Sequence, residues 1–213
     1  MDSKEIKEVI IAIIILGIIL SISYAFKITI NSIYLGFAAA ALIILINIFA
    51  KKAMAFALDS GVEHELWRGS RYGIKPHNRL NQEITIGAIL ALFLGLFSLG
   101  FIKFMSLLTY ETRALKHRAA KRFGFYSFTE MTDWHNGVIG ATGIVAVLIL
   151  AIVLYFIAGS DDRLWRFAIY YAFWNMIPVS KLDGTQIFFG SKILYSALGI
   201  ITLIATTYAI ILP

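Results

Sequence analysis

The chain of 213 residues contains no cysteine and few charged side chains. Without cysteine, neither a disulfide framework nor a thiolate metal site can form. Charged residues make up only 15% of the sequence, whereas soluble domains usually carry about one-quarter. Because so few polar side chains cannot coat a globule, the composition argues against a soluble domain and for a protein embedded in a membrane.

Long apolar runs fill the sequence instead. Hydrophobic residues make up 59% of the chain, and residues 137–158 contain no charge at all. A bilayer core about 30 Å thick needs about 20 apolar residues in helical form. We therefore predict an all-α integral membrane protein, a single polytopic domain over residues 1–213 with about five to six transmembrane or re-entrant helices. The predicted helices cover residues 8–25, 32–50, 84–110, 137–158, 165–179 and 193–212.

The first apolar run has a cleaved signal peptide as its alternative interpretation. A signal peptide has a basic flank and a small-residue cleavage site. Here Glu5 and Glu8 alternate with Lys4 and Lys7, and no such cleavage site follows. We interpret residues 8–25 as a transmembrane helix.

The basic residues indicate an orientation. The net charge is +6, and the lysines and arginines concentrate in residues 51–83 and 111–136. Attraction to anionic headgroups accounts for this charge more simply than nucleic acid does, so we expect the lipid bilayer and no nucleic acid as a partner. The positive-inside rule makes residues 51–83 a cytoplasmic loop and places the N-terminus in the cytoplasm, in a plasma-membrane protein.

Residues 84–110 separate these two basic loops. A single crossing would put one strongly basic loop outside. Small residues interrupt the run, and they permit a broken helix where protein buries the backbone. We favour a re-entrant segment, with a single crossing as the alternative. The interrupting residues are Gly87, Gly95, Ser98 and Gly100.

One carboxylate, Asp183, stands between the last two apolar runs. A charged side chain at the bilayer centre costs about 2.5 to 3.5 kcal/mol on insertion scales, so it usually has a partner or faces water. Asp183 is therefore a candidate functional residue. The alternative is that it caps the helix that follows, because aspartate accepts hydrogen bonds from the exposed N–H groups there.

The residues around Asp183 form a spaced pattern. Asn175 is followed after two residues by Pro178 and, after three more, by Leu182-Asp183-Gly184. This pattern is similar to a motif of the site-2 proteases, a family of intramembrane zinc metalloproteases. The resemblance implies a site-2-protease-like core, a broken transmembrane helix and Asp183 as the third zinc ligand.

The same family carries His-Glu-x-x-His, in which residues four apart share one helix face and hold the metal. The only His-Glu pair of this chain is His64-Glu65, and Arg68 stands where the second histidine belongs. A guanidinium has no lone pair for zinc, and its charge repels the ion. The zinc-protease motif is therefore not intact.

The cofactor prediction stays open between a divalent metal and none. The resemblance implies zinc, whereas a carboxylate-rich site suits magnesium, calcium or manganese. Glu65 is the candidate base, and His135 is a further candidate ligand. Alternatively, the acidic residues of this stretch are solvated charges that pair with lysine and arginine. The candidate metal ligands are Asp183, His64, Asp59 and Glu63.

Three functions follow as hypotheses. The first is a non-catalytic or impaired site-2-protease-like protein that binds transmembrane segments of partner proteins. The second is an active intramembrane metalloendopeptidase with an altered ligand set. The third is a small transporter or channel component, because broken helices and buried carboxylates also mark ion paths.

Overall fold

The computed structural model of the protein describes residues 2–22, 30–71, 79–98, 100–115, 131–159 and 163–211. Helices make up most of this part of the chain. In chain order they are α1 (Ser3–Ser21), α2 (Ile30–Ala57), α3 (Ile86–Phe97), α4 (Asp133–Ala158), α5 (Leu164–Met176), α6 (Asp183–Gly190) and α7 (Lys192–Ile211). The strands are β1 (Ser60–Leu66), β2 (Gly69–Arg71), β3 (Arg79–Ile84) and β4 (Leu108–Ala114).

Among the described residues, α2, α4 and α7 are long and apolar enough to cross a membrane. A helix rises about 1.5 Å per residue, so about 20 residues match the bilayer core. The protein is thus a largely helical membrane protein, as predicted, while the full number of spans stays a prediction. The link around Lys27 lies outside the described residues.

Helices α1 and α2 pack closely at one end of the molecule. A Cβ on Gly17 would lie 2.6 Å from the ring of Phe37, and one on Gly36 would lie 2.5 Å from Ser21 Oγ. At the other end Lys52 of α2 forms an ion pair with Glu5 of α1. The two helices are therefore antiparallel, with the N-terminus of α1 beside the C-terminus of α2.

The predicted loop over residues 51–83 is in part regular structure. Helix α2 continues to Ala57, and β1 then pairs antiparallel with β4, from Ser60↔Ala114 to Leu66↔Leu108. Alternate β1 residues are buried, the pattern of a strand with one covered face. The all-α prediction therefore holds for the helices but misses two small sheets, because charged residues between the apolar ones hid the strand.

The edge of β1 that faces away from β4 is covered by α1. Glu5 Oε1 accepts the backbone N–H of His64 at 3.2 Å, and Glu8 Oε2 accepts that of Leu66 at 2.8 Å. Two carboxylates thus make the hydrogen bonds that a neighbouring strand would make.

The segment from α3 to β4 begins and ends beside Trp67. Gly87 N–H donates to the Trp67 carbonyl at 3.2 Å, and Trp67 N–H donates to the Leu107 carbonyl at 2.8 Å. Near the far end of α3, Gly95 approaches Ile19 of α1. The returning residues 104–108 are buried, which satisfies the condition for irregular backbone at membrane depth. Both ends of the segment thus meet at Trp67, and its re-entry into a bilayer stays a prediction.

Single cysteines test this arrangement, because the chain has none of its own. Exposed Glu83 and Arg113 flank the segment, and α4 separates Arg113 from exposed Arg163. We expect a membrane-impermeant maleimide to label Glu83→Cys and Arg113→Cys from the same side of sealed vesicles. It should label Arg163→Cys only from the opposite side. Labelling of Glu83→Cys and Arg113→Cys from opposite sides would show a full crossing.

Candidate functional site

The site lies where the chain breaks between α5 and α6. Helix α5 ends at Met176, and Pro178 follows, which lacks an N–H and cannot continue the helix. Helix α6 begins at Asp183, whose side chain is fully buried. Because of this break, the carboxylate of Asp183 lies in the protein interior, in the first turn of α6.

The other residues of the spaced pattern hold this break together. Asn175 is buried, and its Nδ2 donates to the Tyr171 carbonyl at 2.9 Å. Leu182 is buried in the core. A Cβ on Gly184 would lie 2.2 Å from the Met176 carbonyl oxygen, so only glycine permits this approach of α6 to the end of α5.

Asp183 has a partner, Lys51 of α2. Lys51 Nζ lies 2.8 Å from Asp183 Oδ1, with hydrogen-bond geometry, and 2.7 Å from Oδ2. The two side chains are 2% and 0% exposed. The prediction that Asp183 has a partner inside the protein therefore agrees with the geometry, but the partner is an ammonium group rather than a metal ligand.

Two glycines of α4 make room for Lys51 and for Tyr110 beside it. A Cβ on Gly143 would lie 2.6 Å from Lys51 Cε and 2.8 Å from Asn47 Nδ2. A Cβ on Gly140 would lie 2.6 Å from the hydroxyl of Tyr110. Lys51 Nζ lies 4.6 Å from the centroid of the Tyr110 ring, within cation–π range.

Asn47 stands one helical turn before Lys51. It is buried, and its Nδ2 has no hydrogen-bond partner among the described residues. Residues four apart lie on one face of a helix, so the amide of Asn47 and the ammonium of Lys51 face α4 together. The polar face of α2 thus consists of an amide and a cation, opposite one carboxylate.

His64 lies beside Tyr110, with ring centroids 6.4 Å apart, but its hydrogen-bond partner belongs to α1. It is buried on β1, and its Nδ1 lies 3.1 Å from Glu5 Oε1. Burial, together with the nearby charge of Lys51, lowers the pKa of His64 to about 3. The imidazole is therefore neutral near pH 7 and is oriented by Glu5, not by Asp183.

The acidic residues predicted as ligands are placed elsewhere. Glu63 forms an ion pair with Arg113 at 3.2 Å, and the candidate base Glu65 forms one with Lys4 at 2.7 Å. Asp59 lies in the turn after α2, with φ +52°. The structure thus brings none of these three to Asp183.

His64 and Arg68 also do not share a helix face, as His-Glu-x-x-His would require, because this stretch is not helical. His64 lies on a strand, where successive side chains point to opposite faces, so Glu65 points away from it. Arg68 contacts Glu8, with Nη2 2.6 Å from Oε1. His135, the further candidate ligand, is in the first turn of α4 and contacts Thr132.

The donor set does not fit zinc. Within the described part of the chain, no three histidine, aspartate or glutamate side chains converge as a metal site. At Asp183 the neighbouring group is a lysine, whose ammonium has no lone pair to donate. The arrangement can neutralise a buried charge, but it supplies no ligands that would acidify a water.

Comparison with models of protein families, with curated proteins and with solved structures found no match.

The glycine at the break gives a sharp test. Gly184→Ala forces a methyl group against the Met176 carbonyl, and overpacking of this kind costs about 1 to 3 kcal/mol, occasionally more. Gly199→Ala is the matched control, since a Cβ there meets nothing within 4 Å. We expect a clear fall in melting temperature in detergent for Gly184→Ala only. Equal melting temperatures for the two variants would contradict the close packing.

The ion pair should behave as a unit. Lys51→Met leaves a buried carboxylate unpaired, and the loss of one partner of such a pair costs about 3 to 5 kcal/mol. We expect the double variant Lys51→Met, Asp183→Leu to regain most of that stability. Lys52→Met, at the adjacent, partly exposed lysine, is the control and should cost less. Additive losses in a double-mutant cycle would argue against the pair.

Proposed function

We propose that the protein is a site-2-protease-like membrane protein that has lost metal-dependent peptidase chemistry and binds transmembrane segments of partner proteins. One observation carries the proposal. The ammonium of Lys51 contacts both carboxylate oxygens of Asp183. The resemblance makes this carboxylate a zinc ligand. A positive charge is kept at this point, but it belongs to a side chain that cannot activate water.

The spacing on α2 supports the same proposal. Asn47 and Lys51 are four residues apart on a helix that faces Asp183, as the two histidines of His-Glu-x-x-His are in the family. Under this proposal α2, and not the stretch around His64, carries the former ligand positions. An amide and an ammonium have replaced the two imidazoles.

The two other hypotheses have less support. An active metalloprotease needs ligands besides Asp183, and Glu63 and Glu65 are engaged in surface ion pairs. A transporter needs a carboxylate that a passing ion can reach, whereas Asp183 is fully buried and paired with Lys51. Neither hypothesis accounts for the lysine.

The proposed orientation places the N-terminus in the cytoplasm of a plasma-membrane protein. With a re-entrant segment over residues 84–110, the basic residues on either side of that segment lie on one side of the membrane. This distribution satisfies the positive-inside rule, which a single crossing would violate. Gly190 contacts Gly137 in the first turns of α4, so the start of α7 lies beside the start of α4. Lys192, at the start of α7, is therefore on the same side.

A groove between α4, α5 and α7 is the proposed place for a partner helix. Its volume is about 460 Å³, and its lining is apolar apart from two tyrosine hydroxyls, of Tyr155 and Tyr208, which contact each other at 3.2 Å. Helices associate in lipid through close packing, and such a groove offers surface on three helices at once. Trp165 and Ile201 lie on its walls.

Rebuilding the metal site tests the proposal. The variant Asn47→His, Lys51→His restores two imidazoles four residues apart, opposite Asp183. We expect it to bind about one zinc per chain, the ratio for a three-ligand site with an open position, measured by elemental analysis of the purified protein. Asp183→Ala added to this variant should abolish the binding.

The matched control is Asn47→His with Lys52→His, in which the two imidazoles are five residues apart and do not share a face. It should not gain zinc. Zinc at one per chain in the wild-type protein, removed by Asp183→Ala, would contradict the proposal and favour an active metalloprotease.

A further inference from the structure

Trp67, between β1 and β2, joins two parts of the molecule that are far apart in sequence. Its backbone holds both ends of the segment from α3 to β4, through the hydrogen bonds with Gly87 and Leu107. Its indole Nε1–H donates to Ser180 Oγ at 3.2 Å, in the break between α5 and α6. Trp67 is buried, and it therefore contacts both the segment and the break from inside the protein.

Aromatic rings make a second connection between these two parts. The ring of Phe104, in the returning part of the segment, stacks on that of Trp67 with centroids 6.3 Å apart. Its other neighbour is Trp174, at 4.8 Å, in the last turn of α5. The segment is thus linked to the chain both before and after Pro178.

Ser180 lies in a strained turn. Leu182 N–H donates to the Val179 carbonyl at 3.2 Å, and Ser180 between them has φ +55°. This is the left-handed region, which residues with a side chain rarely adopt. Such a conformation persists only where its surroundings hold it. The hydrogen bond from Trp67 restrains the Ser180 side chain, so the turn depends on the position of the indole.

The turn sets where α6 begins. Thr185 N–H donates to the Leu182 carbonyl at 3.1 Å, and Asp183 follows Leu182 directly. The close approach of Gly184 to the end of α5 leaves no slack at this point. A change in the turn therefore moves the first turn of α6, and with it the carboxylate that Lys51 contacts.

We propose that Trp67 couples the segment from α3 to β4 to the break, so that the two parts move as one unit. While the segment is seated on Trp67, the turn at Ser180 is held and Asp183 stays enclosed. When the segment is displaced, the indole leaves Ser180, the strained turn relaxes and the start of α6 opens to water. The contacts between the two parts are contiguous, as energetic coupling of this kind requires. Trp67 is a positioning residue, and the segment closes the site.

A single cysteine at Thr185 reports on this opening, because the chain has no other. Thr185 Oγ1 is buried and has no hydrogen-bond partner among the described residues, so Thr185→Cys removes no described contact. Its thiol reacts with a maleimide at a rate set by local opening.

We expect Trp67→Phe, which keeps a ring beside Phe104 but lacks the N–H, to speed this labelling. The expected factor is about threefold to tenfold, the equivalent of one hydrogen bond. Ser180→Ala should have the same effect, and the two changes together should have no more.

Gly87→Ala tests whether displacement of the segment opens the break. A Cβ on Gly87 would lie 3.0 Å from the Ser106 carbonyl oxygen and 3.2 Å from Leu107 Cα, so backbone has to move. We expect faster labelling of Thr185→Cys, and little further increase where Ser180 is already alanine, since the coupling is then broken.

The matched control is Gly95→Ala, in the same helix. Its Cβ would meet Ile19 at an ordinary 3.8 Å, and the labelling rate should stay unchanged. Should Gly87→Ala fail to fold, Phe104→Leu replaces it, because it removes the ring between Trp67 and Trp174.

A second reporter separates local opening from a general loss of stability. Thr202 is buried in α7, and Thr202→Cys should be labelled at the same rate in every variant. Equal acceleration there would overturn the inference. So would an unchanged rate at Thr185→Cys, or effects of Gly87→Ala and Ser180→Ala that simply multiply. Neither zinc nor a partner helix enters these measurements, so the outcome is independent of the proposed function.

Discussion

The ammonium of Lys51 and the carboxylate of Asp183 neutralise each other where neither contacts water. A lone charge at that place would cost several kcal/mol, so either residue alone would destabilise the fold. Residues around the pair make this contact possible. Pro178 and Gly184 set the break that delivers Asp183, and Gly143 leaves the space through which Lys51 reaches it.

The same contact limits what the site can do. Zinc proteases use a metal because it binds water and lowers its pKa toward 7. A lysine ammonium keeps the positive charge and thereby the position of the carboxylate, but it has no open coordination position. Under the proposed function, the ion pair with Lys51 takes the place of the metal in holding Asp183.

Much of this architecture was predictable from the sequence. The uncharged run at residues 137–158 corresponds to α4, and the cost of a carboxylate in lipid correctly pointed to a partner for Asp183. The sequence does not reveal that partner, because Lys51 directly follows the apolar run that ends at residue 50, where the pattern predicts the start of a loop. Asn47 and Lys51, four residues apart, were the available signal.

The prediction also misses strand β1, although Val62, His64 and Leu66 alternate with Glu63 and Glu65. Counting charges obscures this period of two. A contact between residues 51 and 183 depends on tertiary packing, which no local pattern records.

An experimental structure of protein purified without chelators, with anomalous scattering recorded at the zinc edge, tests the central claim most directly. The account predicts Lys51 Nζ in hydrogen-bond contact with the Asp183 carboxylate, about 3 Å away, and no anomalous peak beside it. A metal peak at Asp183, with the Lys51 side chain turned away and imidazole or carboxylate ligands around the ion, would contradict it.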